Sequence, residues 1–327
     1  MNWRRLVGIG AVGATAAVAG ITAINLAGRR VRARAEHELD DPLTPPTDVE
    51  HLHLDTPDGG TLHAVVTGRG RPAVLLHGVT LQWWVWSAVI RLLRDRYQVV
   101  TWDMRGHGES IAGDRGVTLE ACADDLHLLV EHLDLHDAVV VGHSMGGMVL
   151  GRFAVQHHAE LHERMSGLVF LATSAAPASF AGLQGGLASA AKLISRSAER
   201  ADRTGRSPYN WREGNVSALM ARPVFGRRVT NRMVDDVRQM LAAVSQRTVA
   251  ESCSSIATHD VRAELAAVDL PAWVVVGDRD VLTPVAHARG IAESIPGSKL
   301  EVLHDVGHQV MQEDPAAVAL AVDRLAS

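Results

Sequence analysis

Short runs of consecutive apolar residues recur along the chain after residue 49, and segments of helical periodicity separate them. Continuous runs of this kind are typical of strands buried on both faces. Six such runs are Ala73–Gly78, Tyr97–Asp103, Ala138–His143, Gly167–Thr173, Ala272–Asp278 and Lys299–Leu303. Helical spacing is clearest in Leu119–Leu133, Met145–Gln156, Pro284–Ile295 and Pro315–Leu325. The alternation predicts a mainly parallel central sheet with helices on both faces.

Two segments depart from this alternation. Before the first buried strand, "VEHLHLD" and "TLHAVVT" flank a turn at Asp58 and Gly59, which predicts an antiparallel hairpin. Residues 175–269 separate two predicted strands, although a single helix would be enough for a crossover. We therefore predict an inserted helical cap there, with helices around Asn231–Ala243 and Arg247–Thr258.

The N-terminal segment has a different character. Leu6–Ala27 carries no charge and is flanked by arginines, and as a helix it would extend about 33 Å, enough to cross a bilayer. We predict a membrane anchor in residues 1–27 and a linker in 28–48. The excess of arginine after the run favours a cytoplasmic location for the rest of the chain. The alternative is a signal peptide cleaved near Ala17–Ala19, which would make the protein secreted or extracytoplasmic.

Net charge and its distribution along the chain bear on the partners that this protein could bind. The formal net charge is −5, which disfavours a nucleic-acid-binding protein. Residues 192–232 nevertheless contain ten Lys or Arg against three acidic residues, so this segment is either a solvated surface or a surface for anionic membranes or substrates. Oligomeric state leaves no signature in the sequence.

No cofactor or metal is expected. The stretch "GIGAVG" at Gly8–Gly13 matches a dinucleotide-binding fingerprint, but the charged, proline-containing sequence after it has no second strand. Cys122 and Cys253 belong to no C-x-x-C pair, and the chain lacks an H-E-x-x-H motif. We assign no nucleotide and no metal to this chain.

Ser144 is the strongest candidate for chemistry. It lies in "AVVVGHSMGGMVL" between Gly142 and Gly146, where a buried strand meets a helix. Glycines on both sides leave room for the strained turn that raises a nucleophilic serine above the edge of a sheet. A serine hydroxyl needs a base, and the base needs an orienting acid.

Both partners follow at strand ends. Asp280 ends "VVVGDRD", and His308 lies just past the last predicted strand in "LHDVGHQ", which gives the chain order Ser, Asp, His. Asp278 and His304 are the rival candidates for the acid and the base. Asp278 lies closer to its strand, and His304 lacks the preceding glycine.

From about residue 49 onward the chain resembles the α/β-hydrolase superfamily, in its branch of esterases, lipases and cofactor-free peroxidases with a helical cap. The motifs that carry the resemblance occur in the family's order; they are Leu75–Gly78, Asp103–Ser110, Gly142–Gly147, Gly277–Pro284 and Gly307–His308. The resemblance implies one catalytic domain over residues 49–327, with Ser144 as nucleophile, Asp280 as acid and His308 as general base.

The resemblance also implies an oxyanion hole made by the backbone N–H groups of Val79 and Met145. His77 and Asp103 would shape loops. Trp83 and Trp84, with Trp86 close by, would either line the substrate pocket or pack in the core.

The expected activity is hydrolysis of carboxylic esters through an acyl-enzyme. The predicted anchor favours lipid-like acyl esters, with membrane lipid as a partner. Perhydrolysis and C–C bond hydrolysis use the same three residues, and a non-catalytic binding protein on this fold is the alternative from another class.

Overall fold

The computed structural model describes residues 43–177 and 221–326, together with the isolated positions 26, 29, 30, 33 and 34. Across these residues, no helix combines the length and the apolar character that a membrane crossing requires. Apart from Leu26, the predicted anchor Leu6–Ala27 lies outside the described residues, as does most of the basic segment 192–232. The boundaries of anchor, linker and catalytic domain therefore stay predictions.

An eight-stranded sheet forms the centre of the described structure, with the strand order β1-β2-β4-β3-β5-β6-β7-β8. Its strands are β1 (Glu50–Asp55), β2 (Thr61–Gly68), β3 (Arg71–Leu76), β4 (Tyr97–Trp102), β5 (Ala138–His143), β6 (Met165–Leu171), β7 (Ala272–Gly277) and β8 (Lys299–Leu303). β2 pairs antiparallel with β1 and β4, whereas the remaining pairs are parallel. The predicted hairpin and the mainly parallel sheet are confirmed.

β6 is displaced from its predicted position. The apolar pattern predicts Gly167–Thr173, but the strand begins at Met165 and ends at Leu171. Ala172 has a φ of 45°, which takes the backbone out of the extended conformation. Thr173 instead donates its hydroxyl to the carbonyl oxygen of Ser144 at 2.6 Å, so the end of β6 supports the turn after β5.

Helices cover both faces of the sheet, as predicted. In the described ranges they are α1 (Ser87–Leu93), α2 (Leu119–His132), α3 (Met145–Gln156), α4 (His158–Arg164), α5 (Asn231–Ala243), α6 (Gln246–Thr258), α7 (Val285–Ser294), α8 (Val310–Glu313) and α9 (Pro315–Leu325). Two buried apolar clusters separate these helices from the sheet.

Alternation along the strands distributes side chains between these two clusters. In β3, Val74 and Leu76 join the cluster that contains α2, α3 and α7, whereas Ala73 and Leu75 join the cluster with α1 and α9. Because both faces are buried, the strands read as continuous apolar runs. The carboxyl ends of the parallel strands then lie at one edge of the sheet, where ligands bind in open α/β sheets.

Candidate active site

The turn between β5 and α3 places Ser144 at this edge. Ser144 has φ 52° and ψ −117°, a conformation that residues other than glycine rarely adopt. The glycines around it are required by space: a Cβ on Gly142 would lie 2.5 Å from the Gly146 carbonyl oxygen, and a Cβ on Gly146 would lie 2.4 Å from the Leu76 carbonyl oxygen. The sequence pattern therefore encodes a strained turn with a serine at its apex.

Asp280 and His308 form a buried pair. His308 Nδ1 lies 2.8 Å from Asp280 Oδ2, and the side chains are 4% and 0% exposed. Asp280 also accepts hydrogen bonds from the backbone of Leu282 and Thr283 and from the Thr283 hydroxyl. Burial alone would raise the pKa of Asp280, but the nearby positive charge of a protonated His308 and these hydrogen bonds lower it to about 2.

This contact fixes the tautomer that His308 needs as a base. An ionised carboxylate accepts, so the imidazole proton belongs on Nδ1 and leaves the lone pair on Nε2. Ser144 and His308 both line one cavity, while Asp280 lies behind the imidazole. The structure thus brings the three predicted residues to one place.

The backbone of His308 is held on two sides. Its N–H donates to the Val224 carbonyl at 2.7 Å, and its carbonyl accepts from His143 Nε2 at 2.9 Å. Burial lowers the pKa of His143 well below its ordinary value, so this histidine is neutral and carries its proton on Nε2. The residue before the candidate nucleophile therefore supports the candidate base.

Glu313 makes a further link to this loop. Its two carboxyl oxygens accept from Gly226 N at 2.8 Å and from Gly307 N at 3.0 Å. Burial raises the pKa of Glu313 to about 7, because desolvation of the carboxylate outweighs the stabilising hydrogen bonds. The Glu313 carboxyl group thereby connects Gly226, in the segment before α5, to Gly307, the residue before His308.

Val79 lies on the wall of the same cavity as Ser144. Two buried histidines fix its loop. His77 donates from Nδ1 to the Gly78 carbonyl and accepts from Met104 N, and His107 accepts from Thr80 N at 3.2 Å. Burial lowers the pKa of both, that of His107 to about 3, so both are neutral.

Met145 begins α3 directly after Ser144, at a position whose N–H has no acceptor within the helix. The N–H groups of Val79 and Met145 therefore belong to the two segments that flank Ser144, where an oxyanion would develop.

The predicted pocket residues Trp83 and Trp84 line no part of this cavity. They lie in a short 3₁₀ turn, Trp83–Trp86, whose aromatic side chains pack in the core between the sheet and α1. Trp83 N donates to Asp103 Oδ1, and Trp84 Nε1 donates to Gln82 Oε1. The alternative of core packing describes them better, because Trp83 is buried in the apolar cluster that contains α1 and the partly buried Trp84 packs against that cluster.

Mainly aliphatic side chains and a methionine line the cavity instead. Its volume is about 140 Å³. Besides Ser144, His308 and Val79, its lining includes Leu81, Met148, Ala221, Val224, Val237, Leu241, Ile256 and Leu282. Five of these eight residues belong to the segment between β6 and β7, which the sequence predicts as a cap but whose individual contacts it does not reveal.

The rival acid and base form a separate pair. Asp278 Oδ2 lies 2.9 Å from His304 Nδ1, and the His304 side chain is 78% exposed. Neither residue lines the cavity with Ser144.

Comparison with known proteins agrees with this fold. A family model described as the alpha/beta hydrolase fold matches residues 72–315, so the chain belongs to the α/β-hydrolase fold family. A non-heme chloroperoxidase of Kitasatospora aureofaciens is 30% identical over 260 residues, covering 78% of this chain and 91% of that protein. A 3-oxoadipate enol-lactonase of Acinetobacter baylyi is 27% identical over 256 residues, covering 77% and 88%.

Among solved structures, a thermophilic esterase from Thermogutta terrifontis is similar, with a TM-score of 0.69 and 30% identity. The match covers 84% of this chain and 97% of that one. The membership in the superfamily that the motifs indicate is confirmed.

Proposed function

We propose that this protein hydrolyses carboxylic esters through an acyl-enzyme on Ser144. The observation that carries the proposal is the buried His308–Asp280 pair, 2.8 Å apart, on the cavity that Ser144 lines. A buried acid with a lowered pKa next to a histidine on a cavity is the arrangement that activates a serine. The named esterase and lactonase relatives support the same chemistry.

The proposed catalytic steps use this arrangement of Ser144, His308 and Asp280. His308 Nε2 removes the hydroxyl proton while Ser144 Oγ attacks the ester carbonyl, and ionised Asp280 stabilises the imidazolium. The N–H groups of Val79 and Met145 stabilise the oxyanion. When the intermediate collapses, the C–O bond breaks and the leaving alcohol takes the proton from His308. Water then attacks the acyl-enzyme with His308 again as base, which releases the acid and restores Ser144.

The cavity volume limits the acyl group. Its volume of about 140 Å³ is below the roughly 300–1,000 Å³ of typical ligand pockets. The apolar lining favours short alkyl chains, so we propose short-chain acyl esters as substrates. This proposal differs from the lipid-like esters that the predicted anchor favours, and a series of acyl chain lengths distinguishes the two.

Perhydrolysis is a second candidate, favoured by the similarity to the non-heme chloroperoxidase. In that reaction hydrogen peroxide replaces water as acceptor of the acyl group, so the product is a peroxyacid. The same Ser144, His308 and Asp280 would serve.

The test is labelling with a fluorophosphonate, followed by turnover of p-nitrophenyl esters from acetate to dodecanoate, with wild type and Ser144→Ala. We expect wild type to be labelled and to prefer acetate and butyrate, and the variant to lose labelling and about 10³-fold or more of its turnover. Peroxyacid formation from acetate and hydrogen peroxide measures the second candidate. An unlabelled, inactive wild type would favour the non-catalytic alternative, and a variant within tenfold of wild type would disprove the role of Ser144.

A further inference from the structure

Gln309 is a polar side chain on the wall of the cavity that Ser144 lines. It follows the candidate base His308 directly in the sequence, and only 4% of the residue is exposed. Most of the other residues on that wall are apolar. Burial of a polar amide in such surroundings is unfavourable unless the amide is hydrogen-bonded, so the partners of this side chain must be identified.

The Gln309 carboxamide has no hydrogen-bond partner within the part of the chain that the structure describes. Its Oε1 is buried and unpartnered, and its Nε2 donates to no described residue. Thr283, on the same wall, differs in this respect because its hydroxyl already donates to Asp280 at 2.8 Å. A carboxamide offers two N–H donors and an acceptor oxygen. At Gln309 these groups are therefore available to a ligand in the cavity.

The backbone of Gln309 is held by the start of α8. Its carbonyl oxygen accepts from Gln312 N at 3.0 Å and from Glu313 N at 2.9 Å. The residues on either side, His308 and Val310, are both buried. An amide on a backbone fixed in this way can select a ligand, because little conformational freedom is lost when the ligand binds.

Gln312, three residues further along the chain, has the same side chain in another environment. It is also buried, and its Oε1 likewise has no hydrogen-bond partner among the described residues. Unlike Gln309, it does not line the cavity with Ser144. The two glutamines therefore separate the effect of burying an amide from the effect of placing it on the cavity wall.

We propose that Gln309 is a specificity-determining residue that binds a hydroxyl group on the acyl part of the substrate. The acyl group becomes attached to Ser144 and therefore stays in the cavity beside Gln309. A hydroxyl both donates and accepts, so it pairs with either end of the carboxamide. An acyl group without a hydroxyl leaves the amide unpartnered, which weakens its binding. The inference rests on the proposed esterase function and narrows it to short hydroxyacyl esters.

Ethyl 3-hydroxybutyrate and ethyl 3-methylbutyrate test the proposal, because they differ only by a hydroxyl in place of a methyl group. We expect the full-length wild type to favour the hydroxy ester by at least about tenfold in kcat/KM, measured by acid release. Gln309→Met keeps the length of the side chain without its amide. In this variant the ratio of the two kcat/KM values should fall by about tenfold or more. A purely structural role of Gln309 would instead lower both values alike and leave their ratio unchanged.

Gln312→Met is the matched control and should keep the wild-type ratio. Gln309→Leu serves as a second apolar variant in case Gln309→Met does not fold, and fluorophosphonate labelling verifies an intact Ser144 in each protein. An active wild type without preference for the hydroxy ester, or a ratio that changes equally in the Gln309 and Gln312 variants or in neither, would overturn this inference alone. A wild type that is neither labelled nor active would overturn the proposed function, and this inference with it.

Discussion

Asp278 and Asp280 lie two residues apart but have different surroundings. Asp280 is buried against His308, whereas Asp278 pairs with an exposed His304. We expect Asp280→Asn to reduce kcat/KM for p-nitrophenyl acetate by about 10³-fold or more, because the amide no longer stabilises the imidazolium or its tautomer. Asp278→Asn should stay within about threefold of wild type. The reverse result would mean that the acid lies two residues earlier.

The local sequence predicts some site residues and misses others for a physical reason. Ser144 is recognisable because its strand, turn and helix are contiguous in sequence. The support that His143 gives to the His308 carbonyl spans 165 positions and has no local signature. Trp83 and Trp84 are the opposite case. They lie close to a motif in the sequence, but the sequence does not reveal which surface of the fold they pack against.

At the scale of elements, α8 is the helix that joins the candidate base to the rest of the fold. Its last residue, Glu313, has a folded-state pKa near 7 against an ordinary 4.5. The folded chain therefore binds this proton more tightly than the unfolded chain. The stability that Glu313 contributes is fully present below pH 4.5 and is lost as pH rises through 7.

We therefore expect the difference in unfolding free energy between wild type and Glu313→Gln to fall by up to about 2 kcal/mol from pH 5 to pH 8, allowing for solvent screening. Urea unfolding at intermediate pH values measures this difference. Glu163→Gln, on the exposed face of α4, is the control and should show no such trend. A constant difference across the range would mean that Glu313 has no raised pKa in the fold.

The elements themselves were largely predictable. Ala138–His143 and Lys299–Leu303 are strands with the predicted bounds, because continuous apolar runs leave little alternative. Short elements such as α4 and α8 were not predicted. Seven or fewer residues carry too little periodicity to be distinguished from a loop.

At the scale of the whole molecule, strand order was not available from the sequence. The exchange of β3 and β4 in the sheet depends on pairing between distant segments. The resemblance to a known superfamily predicts the fold, whereas the alternation of strands and helices predicts only the fold class.

The predicted anchor leads us to expect the whole chain in the membrane fraction. Deleting residues 1–40 should move the protein from the membrane fraction to the soluble fraction, since Leu6–Ala27 would be removed. Turnover of a short ester should stay within about twofold, because the deletion leaves in place the buried Leu43 and Thr44, whose carbonyl accepts from Arg91. Cell fractionation and ester assays measure the two effects. Release of the full-length chain by carbonate, or a mature chain beginning near Gly20, would contradict the anchor.

The strained turn at Ser144 affects how the stability of this protein can be increased. A non-glycine residue with φ 52° and ψ −117° costs on the order of 1–3 kcal/mol, and glycine would relieve that cost. The backbone conformation at position 144 therefore favours glycine, whereas the proposed chemistry requires serine. Selection for heat resistance alone would favour loss of the proposed nucleophile, so a more stable form that keeps Ser144 must gain its stability elsewhere in the chain.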